Sequence, residues 1–170
     1  MSEFEFQPGI IHRLGDVYEG QLQRRIDHRP AEVWQMLTAP DRLAQWLAPG
    51  IIQLREGGNV RINFADSGTL IESTVLAFES ERLLTYSWSS GSEPQRPLSW
   101  SLEAVDEGTV LTLVVQVPIQ EDIAKACAGF EGHLEMLLAA LEGVPIRFPF
   151  DLFLQARTAY QAAVAALVKA

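Results

Sequence analysis

Residues 30–49 read PAEVWQMLTAPDRLAQWLAP and carry three prolines and two tryptophans but no glycine. This stretch limits the possible folds more than any other part of the chain. Pro30 sits where a helix can begin, because its fixed φ suits the first turn and its missing N–H costs nothing there. Val33, Trp34 and Leu37 then share one helical face, and Thr38 and Pro40 end the segment. Asp41 opens a second helix, where a carboxylate can accept from first-turn amides and suits the positive end of the dipole. Leu43, Trp46 and Leu47 form its apolar face before Pro49 and Gly50 stop it. Each helix is too short to hold in water by itself. Both therefore need a large apolar surface to pack on.

The rest of the sequence supplies a sheet. Val17–His28 alternates apolar and polar residues with β-branched and aromatic members, as a long strand does. After the helix pair, IIQLREGGNVRINF reads as strand, turn, strand, with Gly57 and Gly58 in the turn and Val60, Ile62 and Phe64 on one face. DSG at 66–68 is a further turn, and TLIESTVLAF, LLTYSW, LSWSLEA and VLTLVVQV follow as strands separated by short polar connections. In LLTYSW, Leu84, Tyr86 and Trp88 fall on one face. In LSWSLEA, Leu98, Trp100, Leu102 and Ala104 do the same. The expectation is a seven-stranded antiparallel meander.

Pro118 ends the sheet and a long helix runs from about Glu121 to Glu142, closed by Gly143 and Pro145. Its apolar stripe of Ile123, Cys127, Phe130, Leu134, Leu137 and Leu141 tracks a 3.6-residue period. Gly129 and Gly132 lie inside it, each costing about 0.8–1 kcal/mol relative to alanine, which predicts a bend or close approach to another backbone. Beyond Pro149, Phe153, Ala156, Tyr160, Ala163, Val164 and Leu167 form the stripe of a terminal helix. The organisation expected is an N-terminal arm over 1–16, one domain over 17–143, and a helical extension over 144–170 that packs on that domain or on a partner subunit as a homodimer contact.

Charge and motifs exclude several functions. A net charge of −9, with no basic cluster, argues against nucleic acid and anionic membranes as partners. Cys127 is the only cysteine, so neither an internal disulfide nor a paired-cysteine metal site is possible. The start, MSEFEFQPGIIHR, lacks the basic-then-apolar pattern of a signal peptide, and no apolar run approaches the ~20 residues of a membrane helix, so a cytoplasmic location is expected. No nucleophile elbow, metalloprotease helix, phosphate loop or dinucleotide fingerprint is present. Cys127 reads as a small buried hydrophobe, His12 as solvated, and His28 as a strand-end or surface residue. His133, beside the stripe of the long helix, is the one ionisable side chain placed to act as a proton carrier or hydrogen-bond donor in an interior.

The motif order resembles that of the START-like, birch-pollen-allergen-like (SRPBCC) superfamily. Within it the chain is most similar to homologues of the C-terminal domain of the heat-shock protein 90 ATPase activator. The resemblance rests on Pro30, Val33 and Trp34, on Thr38 and Pro40, on Trp46, on Gly57–Gly58 and on Gly108–Thr109, over roughly residues 17–143. Gly129–Phe130 stands where relatives usually have glycine–tryptophan. The resemblance implies an α+β helix-grip fold, in which a curved antiparallel seven-stranded sheet wraps the long C-terminal helix and two short helices follow the first strand. It also implies a hollow for a small apolar or amphipathic ligand, with Trp34, Trp46, Phe64, Tyr86, Trp88, Trp100, Phe130, His133 and Leu137 as its expected lining. No catalytic residue, metal or cofactor is implied, and a binding protein is expected rather than an enzyme. A chaperone-associated interaction protein is the alternative, and a cyclase- or hydrolase-like enzyme using the same hollow is a second.

Overall fold

In the computed structural model, which describes residues 6–64 and 67–169, one antiparallel sheet curves around a long helix. In chain order the elements are β1 (Ile10–Leu14), β2 (Val17–Ile26), α1 (Pro30–Thr38), α2 (Pro40–Trp46), β3 (Gly50–Ile52), β4 (Asn59–Phe64), β5 (Thr69–Glu79), β6 (Leu83–Ser87), β7 (Pro97–Val105), β8 (Gly108–Pro118), α3 (Ile123–Leu141) and α4 (Phe150–Lys169). The spatial order of the strands is β1-β2-β8-β7-β6-β5-β4-β3. The two short helices therefore carry the chain from β2 to the far edge, and successive hairpins bring it back until β8 pairs with β2. Among the described residues no helix is long and apolar enough to cross a membrane.

The sheet has eight strands rather than the expected seven. The extra one, β1, comes from the supposed arm and pairs with β2 from Ile10↔Gln21 to Leu14↔Val17, through a turn in which Gly15 adopts φ +61°. Only Ile11 of β1 is buried, so its five residues carry no alternating signal to read. Residues 1–5 of that arm, and Asp66 of the turn expected at 66–68, lie outside the described residues.

Both short helices begin with proline in their first turn, and Pro40 opens α2 rather than closing α1. Asp41 makes no capping hydrogen bond, because Ala39 occupies the cap position ahead of Pro40. Trp46 fastens the pair: its indole N–H donates to the Met36 carbonyl at 2.6 Å, and its ring meets Trp100 of β7 edge-on at 5.5 Å. Trp34 leans on Phe78 of β5. These two rings stand in the apolar surface that α1 and α2 need in order to exist at all.

α3 begins at Ile123, two residues later than expected, because the Asp122 side chain accepts from the Lys125 amide and caps it. Gly143, with φ +76°, closes its end. The helix lies against β2 and β8, and at Gly20 the strand has no Cβ because one would stand 2.4 Å from Cys127 Sγ. α4 packs on α3 and β1, burying Ala156 and Tyr160. A carboxylate joins these layers. Glu131, 1% exposed, accepts from Arg24 of β2 and from the Tyr160 hydroxyl, and that hydroxyl accepts in turn from the Gly9 amide at 2.8 Å. Burial opposes the Arg24 charge, but Glu131 and Glu135 outweigh it and raise its pKa.

Candidate functional site

Three segments converge on one side of α3. β7 begins after a polar loop that Ser87 organises: its hydroxyl accepts from the Arg96 amide at 2.9 Å and is paired with Ser89 at 2.6 Å. The Trp88 amide donates to the Arg96 carbonyl at 2.7 Å, so Trp88 and Arg96 are held side by side. The Arg96 guanidinium then reaches the first turn before α3 and grips Glu121 with two bonds, Nε to Oε1 at 2.6 Å and Nη2 to Oε2 at 3.0 Å. A fork-to-fork pair of this kind fixes direction as well as charge, and the bond to Glu121 raises the Arg96 pKa.

Beneath this pair lies a cavity of about 460 Å³. Its inner wall is apolar, formed by Leu98, Val115, Val117, Ala126 and Phe130, with Phe64 and Trp88 from the sheet side and Phe153 from α4. Polar side chains ring the outside: Ser67, Thr69, Asp122 and Lys125 are exposed, beside the Arg96–Glu121 pair. The aromatic rings meet edge to face rather than stacking. Trp88 lies 5.4 Å from Phe130 and 5.8 Å from Phe64 between centroids, and Phe64 lies 6.1 Å from His133. Phe148, in the connection between α3 and α4, continues the chain to His133 at 5.3 Å and to Phe153 at 5.9 Å.

The two helix glycines serve opposite purposes, and the nearest neighbour at each is not another backbone. Gly132 receives the Phe148 ring, whose Cε1 would stand 2.5 Å from a Cβ at that position. At Gly129 a Cβ would meet nothing within 4 Å, and this residue lines the cavity. The helix weakness tolerated at 129 thus corresponds to open volume.

Of the nine residues expected to line a hollow, the structure places Phe64, Trp88, Phe130 and His133 in the cavity wall. Trp34, Trp46, Tyr86, Trp100 and Leu137 are instead buried in the packed interior away from it. Trp100 forms a second row behind Phe130, at 6.3 Å, and Trp34 and Trp46 belong to the end packed by α1 and α2. Gly129, Arg96, Glu121 and Phe153 were not among the sequence candidates. Gly129, an uncommon residue inside a helix, and Phe153, a member of the terminal helix's apolar stripe, left a trace in the sequence; Arg96 and Glu121 left none.

Cys127 and the histidines sit in separate surroundings, and of these four only His133 lines the cavity. Burial, with some help from the Glu131 carboxylate, pushes the Cys127 thiol up to about 12, so it stays protonated against β2. His133 Nδ1 lies 2.8 Å from the Trp46 carbonyl oxygen and donates to it, and burial holds the imidazole pKa below its ordinary value. His28 stands outside the cavity between Glu32 and Glu142, at 3.1 and 2.5 Å, and hydrogen bonding to Glu142 and Glu32 raises its pKa. His12 is exposed on β1, and Glu72, 52% exposed, faces Arg61. Among the described residues no group of three metal-binding side chains comes together.

Comparison with known proteins places this geometry. The profile of the family described as activator of Hsp90 ATPase homolog 1-like protein matches residues 27–142. The chain belongs to that family. The START-like, SRPBCC assignment read from the motifs stands with it. The fold matches CalU16 from Micromonospora echinospora at 22% identity and a TM-score of 0.77, over 95% of this chain and 99% of that one. It also matches DynU16, from the dynemicin biosynthetic locus, at 27% identity and a TM-score of 0.68, over 75% of this chain and 48% of that one. The Aha1 dimer from Colwellia psychrerythraea is similar at 19% identity and a TM-score of 0.60, over 73% of this chain and 96% of that one. No functionally curated protein matches. The family segment ends just after α3, so Phe148, Phe153 and the whole of α4 lie beyond it.

Proposed function

We propose that the protein binds one small, largely apolar molecule in the hollow between the sheet, α3 and α4. The observation that carries this reading is the aromatic-walled space of about 460 Å³ onto which Gly129 opens. Pockets that bury a small molecule are typically about 300–1,000 Å³, apolar inside with a few fixed polar groups. The sheet and α3 supply most of the wall, and Phe153 of α4 adds to its outer side. The thiol and the two paired histidines do not make a nucleophile and base, which favours binding over turnover. DynU16, a relative from a biosynthetic locus, lends the same reading support.

The test is uptake of the uncharged fluorescent probe N-phenyl-1-naphthylamine, followed by emission against protein concentration. One-to-one uptake by the natural chain, abolished in Gly129→Phe with the fold intact by circular dichroism, is the expected result. Absence of uptake, or equal uptake by both proteins, overturns it.

The family match favours a second reading, association with an Hsp90-type chaperone through the same domain. Co-purification and stimulation of the chaperone's ATPase test it. Failure of both removes it.

A further inference from the structure

The hollow contains one polar atom whose chemistry is decided by its surroundings. A carbonyl oxygen only accepts, so the hydrogen of His133 sits on Nδ1, bonded to the Trp46 carbonyl at 2.8 Å. Burial opposes a second proton on the ring. Nε2 is then a bare lone pair, and among the described residues no protein donor reaches it. His133 is thus an acceptor towards the interior, not the donor or proton carrier that its position in the sequence suggests.

Its setting leaves that lone pair uncovered on one side. Gly129 stands four residues before His133 on the same face of the helix, and both line the cavity. Gly129 has no side chain to shield it and opens on empty space. The rings of Phe64, Phe130 and Phe148 flank the imidazole at 6.1, 6.5 and 5.3 Å between centroids. A donor group arriving at Nε2 therefore has an aromatic surround for the body that carries it.

Resting on the binding reading above, we propose that the ligand is a neutral ring compound bearing a hydroxyl, and that this hydroxyl donates to Nε2 of His133. A carboxylate is disfavoured at this point. It would set negative charge against a lone pair inside apolar walls, where an unpaired anion is costly. On the rim the carboxylates of Glu121 and Asp122 are matched by Arg96 and Lys125, with Arg96 already committed to Glu121, so the rim supplies no net positive charge to offset that cost. A ligand with no donor loses one hydrogen bond and leaves Nε2 unpaired.

The experiment compares 2-naphthol, 2-methoxynaphthalene and 2-naphthoate by titration calorimetry, with ¹⁵N spectra of the histidine ring recorded alongside. In the free protein the spectrum should show the Nδ1–H tautomer of His133. On adding 2-naphthol the Nε2 resonance should shift, and on adding the methyl ether it should not. 2-Naphthol should bind about three- to tenfold more tightly than the ether, the worth of one net hydrogen bond, and the naphthoate most weakly. His133→Phe should erase the difference between naphthol and ether. If that variant does not fold, the two ligands and the spectra on the natural chain still decide. Equal binding of naphthol and ether with Nε2 unmoved, or an Nε2–H tautomer in the free protein, overturns the hydroxyl assignment and leaves the binding reading intact. Failure of all three compounds to bind overturns both.

Discussion

Two regions of this interior are built from the same kind of residue and end up differently. At the end packed by α1 and α2, Trp34, Trp46 and Trp100 are almost wholly buried and touch Phe78, Phe130 or one another. On the opposite flank of α3, Phe64 and Trp88 also meet their neighbours edge-on and Phe153 meets Phe148 at a tilt, yet they enclose free volume. Aromatic content does not separate solid core from cavity. What stands opposite each ring does: the Met36 carbonyl and a second indole beside Trp46, but an unsubstituted Gly129 on the helix facing the hollow.

The strongest way to break that comparison is to truncate one ring on each side. Trp46→Ala should destabilise the protein by about 3–5 kcal/mol, since it deletes a buried ring and leaves a carbonyl unpaired. Trp88→Ala should cost well under half of that, because the ring already borders empty space. Urea unfolding of both variants checks it, and equal losses would mean that the second region is packed after all.

Smaller in size, but opposite in sign, are the effects expected at the two glycines. Gly129→Ala should stabilise by about 0.8–1 kcal/mol, the ordinary gain of alanine over glycine within a helix, because its Cβ meets nothing. At Gly132 the same gain is outweighed by the displacement of Phe148, an overpacking cost of about 1–3 kcal/mol, for a net loss. Thermal midpoints of the two variants should move in opposite directions. A parallel shift would contradict the different surroundings assigned to the two positions.

The smallest effect distinguishes the histidines. His28 has its pKa raised by Glu142 and Glu32, so the folded state holds its proton more tightly than the unfolded chain. Its contribution is fully present below the unfolded pKa of about 6.5 and is lost as pH rises through the higher folded value. His133 has its pKa lowered, so its neutral form contributes fully above about 6.5, and that contribution is lost as pH falls towards the folded value. Stability measured in His28→Gln should therefore fall more steeply on acidification than in the natural protein. The change should stay below about 1 kcal/mol, given how exposed the partner carboxylates are. A shallower acid limb in that variant would refute the signs.

Sequence reading and structure agree where a local signal forces the outcome. Pro30 and Pro40 punctuate the helix pair, and the alternation of Leu98, Trp100 and Leu102 marks one strand face. The 3.6-residue stripe from Ile123 to Leu141 marks α3. β1 was invisible because Ile11 alone of its five residues faces the core, leaving no period to detect. Division of the interior into core and cavity was only partly legible. Periodicity says which way Tyr86 or Leu137 points, but not whether another side chain fills the space in front of it. The pairing of Arg96 with Glu121 and the arrival of Phe148 at Gly132 depend on loop geometry, which carries no periodic signature. Glu131 could have been suspected, since a carboxylate one turn after Cys127 falls on the buried side of the helix. Its partners Arg24 and Tyr160 lie too far along the chain for spacing to connect them.

That carboxylate links the two ends of the polypeptide. Gly9 hangs on the Tyr160 hydroxyl, the hydroxyl on Glu131, and Glu131 on Arg24, so one polar chain joins the first strand and the last helix, beside the β1–β2 ladder and the packing of α4 on α3. Because the last helix also bears Phe153, that chain of bonds runs from the first strand to the element that carries one wall of the cavity.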